Sequence, residues 1–332
     1  MADSFSVAMC TYNGGRFVGE QLESIAAQTL APSELVVCDD RSTDETVRVV
    51  EHFATSAPFP VRLLVNERNL GSTKNFARAL SLCEGDIVAL SDQDDVWLPG
   101  KLARFAAEFG RAPAAGLVFS DAEIVDERTR PTGQRLWEQV GLDRAERERL
   151  SAGRAIGDLL SGATVTGATM ALRARLRSLV LPVPDGLHVI HDAWMALLIA
   201  CVSQVRALDE PLVLYRRHNA QQVGPLTREE TVGGLRAVAA GETKEAMRRE
   251  NPYDAVLALA LAARLRLFER QDEFDSRAAR AELDARIAHL EARRDLPRAR
   301  LRRAPRVLRE LLTLRYHRYA KGVASAAKDL LA

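Results

Sequence analysis

The first 120 residues alternate short apolar runs with amphipathic segments, and this alternation limits the fold more than any other feature of the chain. The apolar runs are too short for helices, and several are rich in valine, which is typical of buried strands. The amphipathic segments between them are about a dozen residues long, as in helices that cross over a sheet. Predicted strands are 6–10, 35–38, 61–65, 87–90 and 117–120, and predicted helices include 16–28, 72–82 and 101–109. This order predicts an α/β fold with a parallel sheet covered on both faces.

Beyond Asp121 the pattern is less regular, and the last third of the chain changes character. From Thr227 onward the sequence is rich in Ala, Leu and Arg and is predicted to be entirely helical, with breaks at Pro252 and Pro297. The intervening elements are predicted as strands within 165–172 and 205–215 and a helix near 192–202.

The charge distribution also divides the chain. Its 46 basic and 45 acidic residues nearly cancel, which argues against a dedicated nucleic-acid-binding protein. Residues 1–224 carry a net charge of −6 and residues 225–332 one of +7, and residues 297–332 alone carry +8. We therefore predict a sheet-containing domain over 1–224 and a helical region over 225–332, with different partners for the two parts.

The four cysteines, Cys10, Cys38, Cys83 and Cys201, are far apart in the sequence, and no two have the C-x-x-C spacing. This distribution predicts reduced, buried thiols, with neither a disulfide framework nor a zinc site. The N-terminal residues do not resemble a signal peptide, and no apolar run approaches the roughly 20 residues of a membrane span. The sequence therefore predicts a cytoplasmic protein.

Clusters of polar residues follow the predicted strands, at the edge of a parallel sheet where ligands bind. Asp92, Asp94 and Asp95 lie within five residues after one strand, and hard oxygen ligands of this kind suit Mg²⁺ or Mn²⁺. The alternative is a solvated acidic turn before the next helix. The chain has neither a G-x-G-x-x-G motif after its first strand nor a P-loop, which disfavours a dinucleotide-binding or P-loop protein.

A second acidic cluster follows the strand at 35–38. Asp39 and Asp40 could accept hydrogen bonds from a base or a ribose, although Asp40 could equally serve the turn. For Asp44 a role in the turn and helix start is the preferred interpretation. Ser42 is predicted to cap the next helix, with Glu45 completing a capping box.

Several motifs occur together in a fixed order, and their combination resembles the family 2 glycosyltransferases, which have the GT-A fold. The resemblance covers roughly residues 5–224 and is nearest to bacterial enzymes that build O-antigen or capsular polysaccharide, including rhamnosyltransferases. The motifs are Cys10-Thr-Tyr-Asn-Gly, Val36-Val-Cys-Asp-Asp-Arg-Ser-Thr-Asp-Glu-Thr, Asn69-Leu-Gly-Ser-Thr-Lys-Asn-Phe, Leu90-Ser-Asp-Gln-Asp-Asp-Val-Trp, Val165-Thr-Gly-Ala-Thr-Met, His191-Asp-Ala-Trp and Tyr215-Arg-Arg-His-Asn.

The resemblance implies roles for individual residues around a nucleotide-sugar donor. Asp94 is expected to bind Mg²⁺ or Mn²⁺ directly, with Asp92 nearer the ribose and able to share the metal. Lys74 could instead be a surface helix residue, and Gly167 could simply occupy a tight bend. The residues expected at the donor are Thr11, Tyr12, Asn13, Asp39, Asp40, Asn69, Gly71, Lys74, Asn75, Asp92 and Gly167.

The resemblance also implies the chemistry. Asp192 matches the family's catalytic base, which removes a proton from the acceptor hydroxyl in an inverting transfer. The alternative role is that of a helix N-cap. His218 is expected to complete the metal shell or contact the diphosphate, or else to be an ordinary loop histidine. Arg216 and Arg217 have the charge to meet phosphate, although the family more often has a neutral residue at one of these positions.

The C-terminal segment 307–331 reads as one basic amphipathic helix. Such a helix can lie in an anionic membrane interface, which would place the enzyme on the inner face of the cytoplasmic membrane near a lipid-linked glycan acceptor. The alternatives are packing on its own domain and an oligomer contact through the C-terminal helices. The predicted shared face comprises Leu308, Leu312, Tyr316, Tyr319, Val323, Ala327 and Leu330.

The sequence therefore favours a metal-dependent inverting glycosyltransferase that uses a UDP- or dTDP-sugar. Two other classes compete with it. A nucleotidyltransferase or phosphohydrolase would need a phosphate-binding loop rich in Gly, Arg or Lys, or more metal ligands, and neither is present in the sequence. A non-catalytic assembly protein would not need Asp92, Asp94, Asp192 and His218.

Overall fold

The computed structural model describes residues 3–160, 162, 165–187, 190–219, 221, 253–297 and 299–331. Its first part confirms the predicted alternation of strands and helices. The strands are β1 (Phe5–Thr11), β2 (Glu34–Asp39), β3 (Val61–Val65) and β4 (Ile87–Ser91), and the helices between them are α1 (Val18–Ala26), α2 (Thr46–Ala54) and α3 (Ser72–Leu82).

The elements that follow are less regular, as their sequence indicates. They are β5 (Val96–Trp97), α4 (Lys101–Arg111), β6 (Ala115–Val125), β7 (Pro131–Arg135), α5 (Leu136–Val140), α6 (Arg144–Ser151), α7 (Ile156–Leu160), β8 (Met170–Arg173), α8 (Arg177–Val180), α9 (His191–Val202) and β9 (Gln204–Arg216). The strand predicted at 117–120 is longer than expected because β6 pairs with β9 as far as Val125.

The strands form one nine-stranded sheet in the order β3-β2-β1-β4-β8-β6-β9-β5, with β7 beside β6. The pairs from β3 to β4 are all parallel, as predicted. Strand β8, inserted between β4 and β6, is antiparallel to both of them. The parallel half therefore brings the carboxyl ends of β1, β2 and β4 to one edge of the sheet.

Burial explains why the first strands appear as continuous apolar runs. Every residue of β1, β2 and β4 is buried, because helices cover both faces of this half of the sheet. Helix α9 is likewise buried on nearly all sides, including Trp194, Leu197 and Ile199.

All four cysteines are free and buried, as predicted. Burial raises the pKa of each thiol, to about 11 for Cys38 and to about 12 for Cys83 and Cys201. The thiols are therefore kept in their protonated, unreactive form.

The described part of the C-terminal region, from residue 253 onward, is helical, with α10 (Asp254–Glu269), α11 (Arg277–Arg294), α12 (Arg300–Leu312), α13 (Arg315–Tyr319) and α14 (Val323–Leu331). Helices α10 and α11 contribute side chains such as Leu257 and Leu283 to the same hydrophobic core as the sheet. The buried guanidinium of Arg266 donates to the carbonyl oxygens of Leu179 at 3.0 Å and Pro182 at 2.8 Å. The boundary proposed at 224–225 and the break at Pro252 lie outside the described residues.

Helices α12 to α14 form a second, small core around Val307, Tyr316 and Ala326. The prediction of one continuous helix over 307–331 is therefore wrong. Tyr316, expected at the edge of the amphipathic face, is buried and donates to Asp329 Oδ2 at 2.7 Å. Where the helices of the chain are described, none is long and apolar enough to cross a membrane.

Candidate active site

The loops after β1 and β2 are held together at the edge of the sheet. Thr11 lies beside Asp39 in the parallel register, and its hydroxyl donates to Asp39 Oδ2 at 2.7 Å. The backbone N–H and the hydroxyl of Ser42 also donate to Asp39, at 2.7 and 2.6 Å. Asp39 is fully buried, so in this structure its carboxylate shapes the floor of the site.

The loop after β1 takes a strained turn that the loop after β2 supports. Asn13 has a positive φ of 49°, its N–H donates to Ser42 Oγ, and its Oδ1 accepts from Thr43 N, both at 2.8 Å. Ser42 therefore does not cap α2, and the predicted capping box with Glu45 is wrong, because Glu45 is itself the N-cap residue and makes no side-chain cap.

Asp44 has the role in the turn and helix start that the sequence predicts. Its carboxylate accepts from the N–H of Thr46 at 3.0 Å, at the start of α2, and from the N–H of Gly15 at 2.9 Å.

Gln93 joins the loop after β1 to the acidic loop (residues 91–95) after β4. Its amide accepts from the N–H of Tyr12 at 2.7 Å and donates to the carbonyl of Tyr12 at 3.0 Å. A Cβ on Gly14 would overlap the amide group of Gln93, so any larger residue at position 14 would displace that side chain. Gln93 was not among the residues predicted at the site, although the parallel pairing of Met9 with Ser91 places residue 93 next to this loop.

Asp40 organises the loop before α3. Its Oδ1 accepts from Asn66 Nδ2 and from the N–H of Leu70, both at 2.7 Å, and its Oδ2 accepts from the N–H of Gly71 at 2.8 Å. Gly71 has a positive φ of 81°, a conformation that favours glycine. Asp40 therefore holds the loop before α3 in position, and this loop carries other residues predicted at the donor.

The remaining predicted residues of this segment divide into two groups. Asn69 Nδ2 donates to the carbonyl of Asp40 at 3.3 Å, and the buried Asn75 donates to the carbonyl of Cys38 at 2.7 Å. Lys74 instead extends into solvent and forms a 2.6 Å ion pair with the exposed Asp185.

The acidic loop concentrates three carboxylates in a small volume. Asp94 Oδ2 lies 2.8 Å from His218 Nε2, and the side chains of both residues are mostly buried. Burial raises the pKa of Asp92, and the charges of Asp94 and Asp192 raise it further. Burial also raises the pKa of Asp95, whose Oδ2 has no hydrogen-bond partner in the described structure.

These observations agree with a divalent cation near Asp94. Carboxylate oxygens with one imidazole nitrogen are donors that Mg²⁺ and Mn²⁺ accept, and a cation would offset the crowded negative charge. Among the described residues, however, no three His, Cys, Asp or Glu side chains already form a complete set of metal ligands.

Lys101 is a buried basic residue close to the acidic loop, and it was not among the predicted site residues. Its ammonium donates to the carbonyl of Ala168 at 2.7 Å and lies 3.6 Å from the centre of the Trp97 ring. Burial lowers the pKa of Lys101, and the charges of Asp95 and Asp92 act in the opposite direction. Lys101 thus connects the acidic loop to the segment that carries Gly167.

Arg216 has a different role from the one that its charge indicates. Its guanidinium is buried and donates to the carbonyls of Asp94 at 2.7 Å and Glu127 at 2.9 Å, and to the hydroxyl of Thr129 at 2.8 Å. It also pairs with Glu20. The expectation that Arg216 meets phosphate is therefore not met in this structure, whereas the neighbouring Arg217 is exposed.

Asp192 lies in the first turn of α9, and its charge acts on Asp92 of the acidic loop. The N-cap of α9 is Ile190, so the alternative role of Asp192 as an N-cap is wrong. Its Oδ2 accepts from the N–H of Gly167 at 2.9 Å, and its Oδ1 accepts from the N–H of Ala193 at 2.6 Å. A Cβ on Gly167 would lie only 3.0 Å from His191 Nε2, a tight contact, whereas its 3.5 Å distance to Asp192 Oδ2 would be an ordinary one.

His191, which precedes Asp192 in the predicted motif, was not predicted to have a role of its own. Its ring stacks on Phe76 of α3 at 4.1 Å, and within the described residues neither ring nitrogen has a hydrogen-bond partner. Burial lowers the pKa of His191, which keeps its imidazole neutral beside Asp192.

The family of the chain follows from comparison with known proteins. Residues 6–177, just over half of the sequence, match the model of the family described as Glycosyl transferase family 2. The chain belongs to this family, as the motif resemblance implied.

Two relatives show how far the similarity extends. An uncharacterized protein of Mycobacterium tuberculosis is 28% identical over 222 residues, which are 64% of this chain and 58% of that protein. A dTDP-rhamnosyl transferase of Shigella flexneri is 37% identical over 98 residues, 28% of this chain and 34% of that one. The chain spans less than two thirds of the length of these relatives, so the resemblance to rhamnosyltransferases is only partial.

Two solved structures resemble the fold. S. aureus TarS (residues 1–349, in complex with UDP-GlcNAc) has a TM-score of 0.58 at 19% identity, with 90% of this chain and 74% of that chain covered. A mannosyltransferase of Pyrobaculum calidifontis, in complex with GDP-Man and Mn²⁺, has a TM-score of 0.50 at 19% identity, with 87% and 81% covered. At this identity the likeness concerns the fold, and it confirms the predicted α/β, GT-A type of architecture.

Proposed function

We propose that this chain is an inverting, metal-dependent glycosyltransferase that moves a sugar from a nucleotide-sugar donor to a glycan acceptor. The observation that carries the proposal is the placement of Asp192 near the acidic loop. The N–H of Gly167 donates to Asp192 at 2.9 Å, and the carbonyl of the next residue, Ala168, accepts from Lys101 at 2.7 Å. The charges of Asp92 and Asp95 act on Lys101, and the charge of Asp192 raises the pKa of Asp92. A transferase of this kind needs a metal-binding end for the donor and a base at the acceptor end, and this arrangement offers both.

At the donor end, Asp94 with Asp92 and His218 would hold Mg²⁺ or Mn²⁺. When bound, the metal stabilises the charge that develops on the leaving nucleoside diphosphate. The protein contributes positioning, because Arg216 holds the carbonyl of Asp94 and Gln93 holds the backbone of Tyr12. The mannosyltransferase of similar fold was solved with Mn²⁺, which supports this assignment.

The nucleotide would lie against the loop after β1, with Thr11, Asn13, Asp39, Asp40, Asn69, Gly71 and Asn75 forming or fixing its walls. Tyr12 is 38% exposed, so its ring is available to a base. Lys74 is exposed and could exchange Asp185 for a donor phosphate.

At the acceptor end, Asp192 is the proposed general base. Its two oxygens are oriented by the N–H groups of Gly167 and Ala193, and the side chain is almost entirely removed from water. The carboxylate would take the proton of the acceptor hydroxyl as that oxygen attacks the anomeric carbon, so no covalent enzyme intermediate is needed.

Substitution of Asp192 tests the base. Asp192→Asn should abolish sugar transfer while UDP or dTDP still binds in calorimetry with Mn²⁺. The matched control is Asp209→Asn, an exposed carboxylate paired with Arg147, which should retain full turnover. Normal turnover by Asp192→Asn would eliminate the proposed base.

Substitution of Asp94 tests the metal site separately. Asp94→Ala should remove the Mn²⁺-dependent part of nucleoside diphosphate affinity. Equal affinities with and without Mn²⁺ in the unsubstituted chain, or an unchanged Mn²⁺ effect in Asp94→Ala, would refute the ligand role.

The donor and acceptor are proposed at a coarser level. The donor is a UDP- or dTDP-sugar, with dTDP-L-rhamnose as one candidate in view of the partial similarity to a dTDP-rhamnosyl transferase. The acceptor is a glycan, carried on a lipid, in bacterial surface polysaccharide synthesis at the cytoplasmic side of the membrane. Thermal-shift measurements with UDP-, dTDP- and GDP-sugars, with and without Mn²⁺, would identify the donor class.

No specific feature of the site favours a nucleotidyltransferase, a phosphohydrolase or a non-catalytic assembly protein. A nucleotidyltransferase or phosphohydrolase would release phosphate or diphosphate from a nucleotide without an acceptor glycan. Donor turnover that is independent of acceptor and yields these products would therefore favour that alternative.

A further inference from the structure

Large apolar side chains are exposed mainly on the C-terminal helices. In the described part of the chain, the exposed large apolar residues outside these helices are Tyr12, Val65 and Leu314, which lies in the turn between α12 and α13. Helix α12 carries the most exposed set, with Leu301 at 92%, Leu308 at 56% and Leu312 at 76% exposure. These three residues are seven and four positions apart, so they form one apolar stripe along the helix.

The packing of α12 in the small C-terminal core keeps this apolar stripe pointing to solvent. On the opposite face of α12, Val307 is buried and Glu310 lies 2.7 Å from His289 of α11. Glu310 also pairs with Arg315 at 3.1 Å. The helix therefore cannot turn its leucines inward without separating buried, paired groups.

A row of arginines lies along one side of the apolar stripe. At 100° per residue, Arg302, Arg306 and Arg309 fall between the stripe and the buried face of α12. Arg306 donates to the carbonyl of Asp295. Within the described residues, the side chains of Arg302 and Arg309 form neither a hydrogen bond nor an ion pair.

We propose that this face of α12 docks on an anionic phospholipid surface. An exposed leucine stripe beside unpaired arginines matches the acyl boundary and the negative headgroups of such a membrane. The charge of the segment supports this occupant, because residues 297–332 carry +8. Helix α14 also exposes apolar side chains, Val323 at 63% and Leu331 at 67%, and carries the basic Lys328.

A second apolar stripe in the chain provides an internal comparison. Helix α10 exposes Leu261, Leu265 and Phe268, which also share one face. Its neighbouring Arg264, however, is paired with Asp284 of α11. The α10 stripe therefore lacks the unpaired cations of α12 and should contribute little to binding anionic lipid.

The proposal goes beyond the transferase function and does not depend on it, because lipid binding is measured without donor or acceptor. The full chain is sedimented with vesicles of phosphatidylcholine alone and of phosphatidylcholine with phosphatidylglycerol. It should bind the anionic vesicles only, and added salt should weaken binding. Arg302→Gln/Arg309→Gln should bind about 30-fold more weakly, as expected for two cations at an anionic surface.

Leucine substitutions complete the test. Leu308→Gln/Leu312→Gln should lose at least about tenfold in vesicle affinity, whereas the control Leu261→Gln/Leu265→Gln should bind like the unsubstituted chain. Circular dichroism and melting curves confirm that each variant is folded. Exposed positions are chosen so that folding is retained.

Three results would overturn the proposal. One is no binding of the unsubstituted chain to anionic vesicles, and another is an equal loss in the α10 and α12 variants. The third is that the unsubstituted chain self-associates in sedimentation velocity, and that Leu308→Gln/Leu312→Gln abolishes this self-association without changing vesicle binding. That result would assign the face to a second copy of the chain.

Discussion

Arg216 offers a sharp test of the site, because its guanidinium is buried and the adjacent Arg217 is exposed. Arg216→Met keeps an unbranched side chain against Phe17 but removes the donors to the carbonyls of Asp94 and Glu127 and to the hydroxyl of Thr129. The acceptors left behind lose charge-assisted hydrogen bonds in a largely water-free place.

The magnitude follows from these contacts. Each hydrogen bond to a charged group is worth about 1.5–3 kcal/mol, and local relaxation recovers part of the loss of three. Glu20 is more than half exposed, so its ion pair adds little. We expect the free energy of unfolding to fall by about 3–5 kcal/mol, as for other buried charged groups that lose their partner.

Urea unfolding followed by circular dichroism measures this change. Arg217→Met is the matched control and should lie within about 0.5 kcal/mol of the unsubstituted chain. If Arg217 contacts phosphate, that variant would weaken donor binding and leave the unfolding free energy alone. Equal unfolding free energies for Arg216→Met and Arg217→Met would refute the structural role of Arg216.

Three further predictions concern other parts of the chain. The four buried thiols should resist Ellman's reagent in the native protein and all react in guanidinium, so fast native labelling would contradict their burial. Burial lowers the pKa of His289 in the folded protein, so on acidification the unfolded chain binds a proton at His289 at a higher pH than the folded chain does. The contribution of neutral His289 to the free energy of unfolding should therefore be complete above about pH 6.5 and decrease below it. His289 Nδ1 lies 2.7 Å from Glu310. His289→Gln should reduce the decrease of the urea unfolding midpoint with falling pH, and an unchanged pH dependence would show that His289 does not cause it. Gly14→Ala should displace Gln93 and weaken donor binding. The double variant Gly14→Ala/Gln93→Ala should recover part of the lost donor affinity. Normal donor binding by Gly14→Ala alone would contradict the close packing of Gly14 against Gln93.

The strands at the site could be predicted because their signal is local. β1, β2 and β4 are buried over their whole length, and continuous apolar runs followed by polar residues identify such strands directly. The polar residues at their ends then had to meet at one edge, which placed Thr11, Asp39 and the acidic loop correctly. The antiparallel position of β8 has no such signal, since strand order depends on contacts far apart in the sequence.

The individual roles within the site were harder to predict, because they depend on which group each side chain contacts. Arg216 and Arg217 are adjacent residues of the same type, yet Arg216 is buried among backbone carbonyls and Arg217 is exposed. Lys101 looked like an ordinary helix residue, and its contact with the carbonyl of Ala168 joins positions 67 residues apart.

The C-terminal helices show the same limit of sequence patterns. The amphipathic periodicity near Leu308 and Leu312 is real, but Tyr316 turns inward to Asp329 because the segment folds back on itself as three helices. Periodicity alone does not show where a helix stops.

The shared core of the sheet and helices α10 and α11 bears on how the protein forms during synthesis. Arg266 closes on the carbonyls of Leu179 and Pro182, 87 and 84 residues earlier in the chain. Contacts of such long sequence separation slow folding, and they cannot form until the later segment has left the ribosome. The apolar surface of α7 and α9 that α10 and α11 cover must therefore stay uncovered until then, which makes this interval the stage at which a chaperone would be most useful.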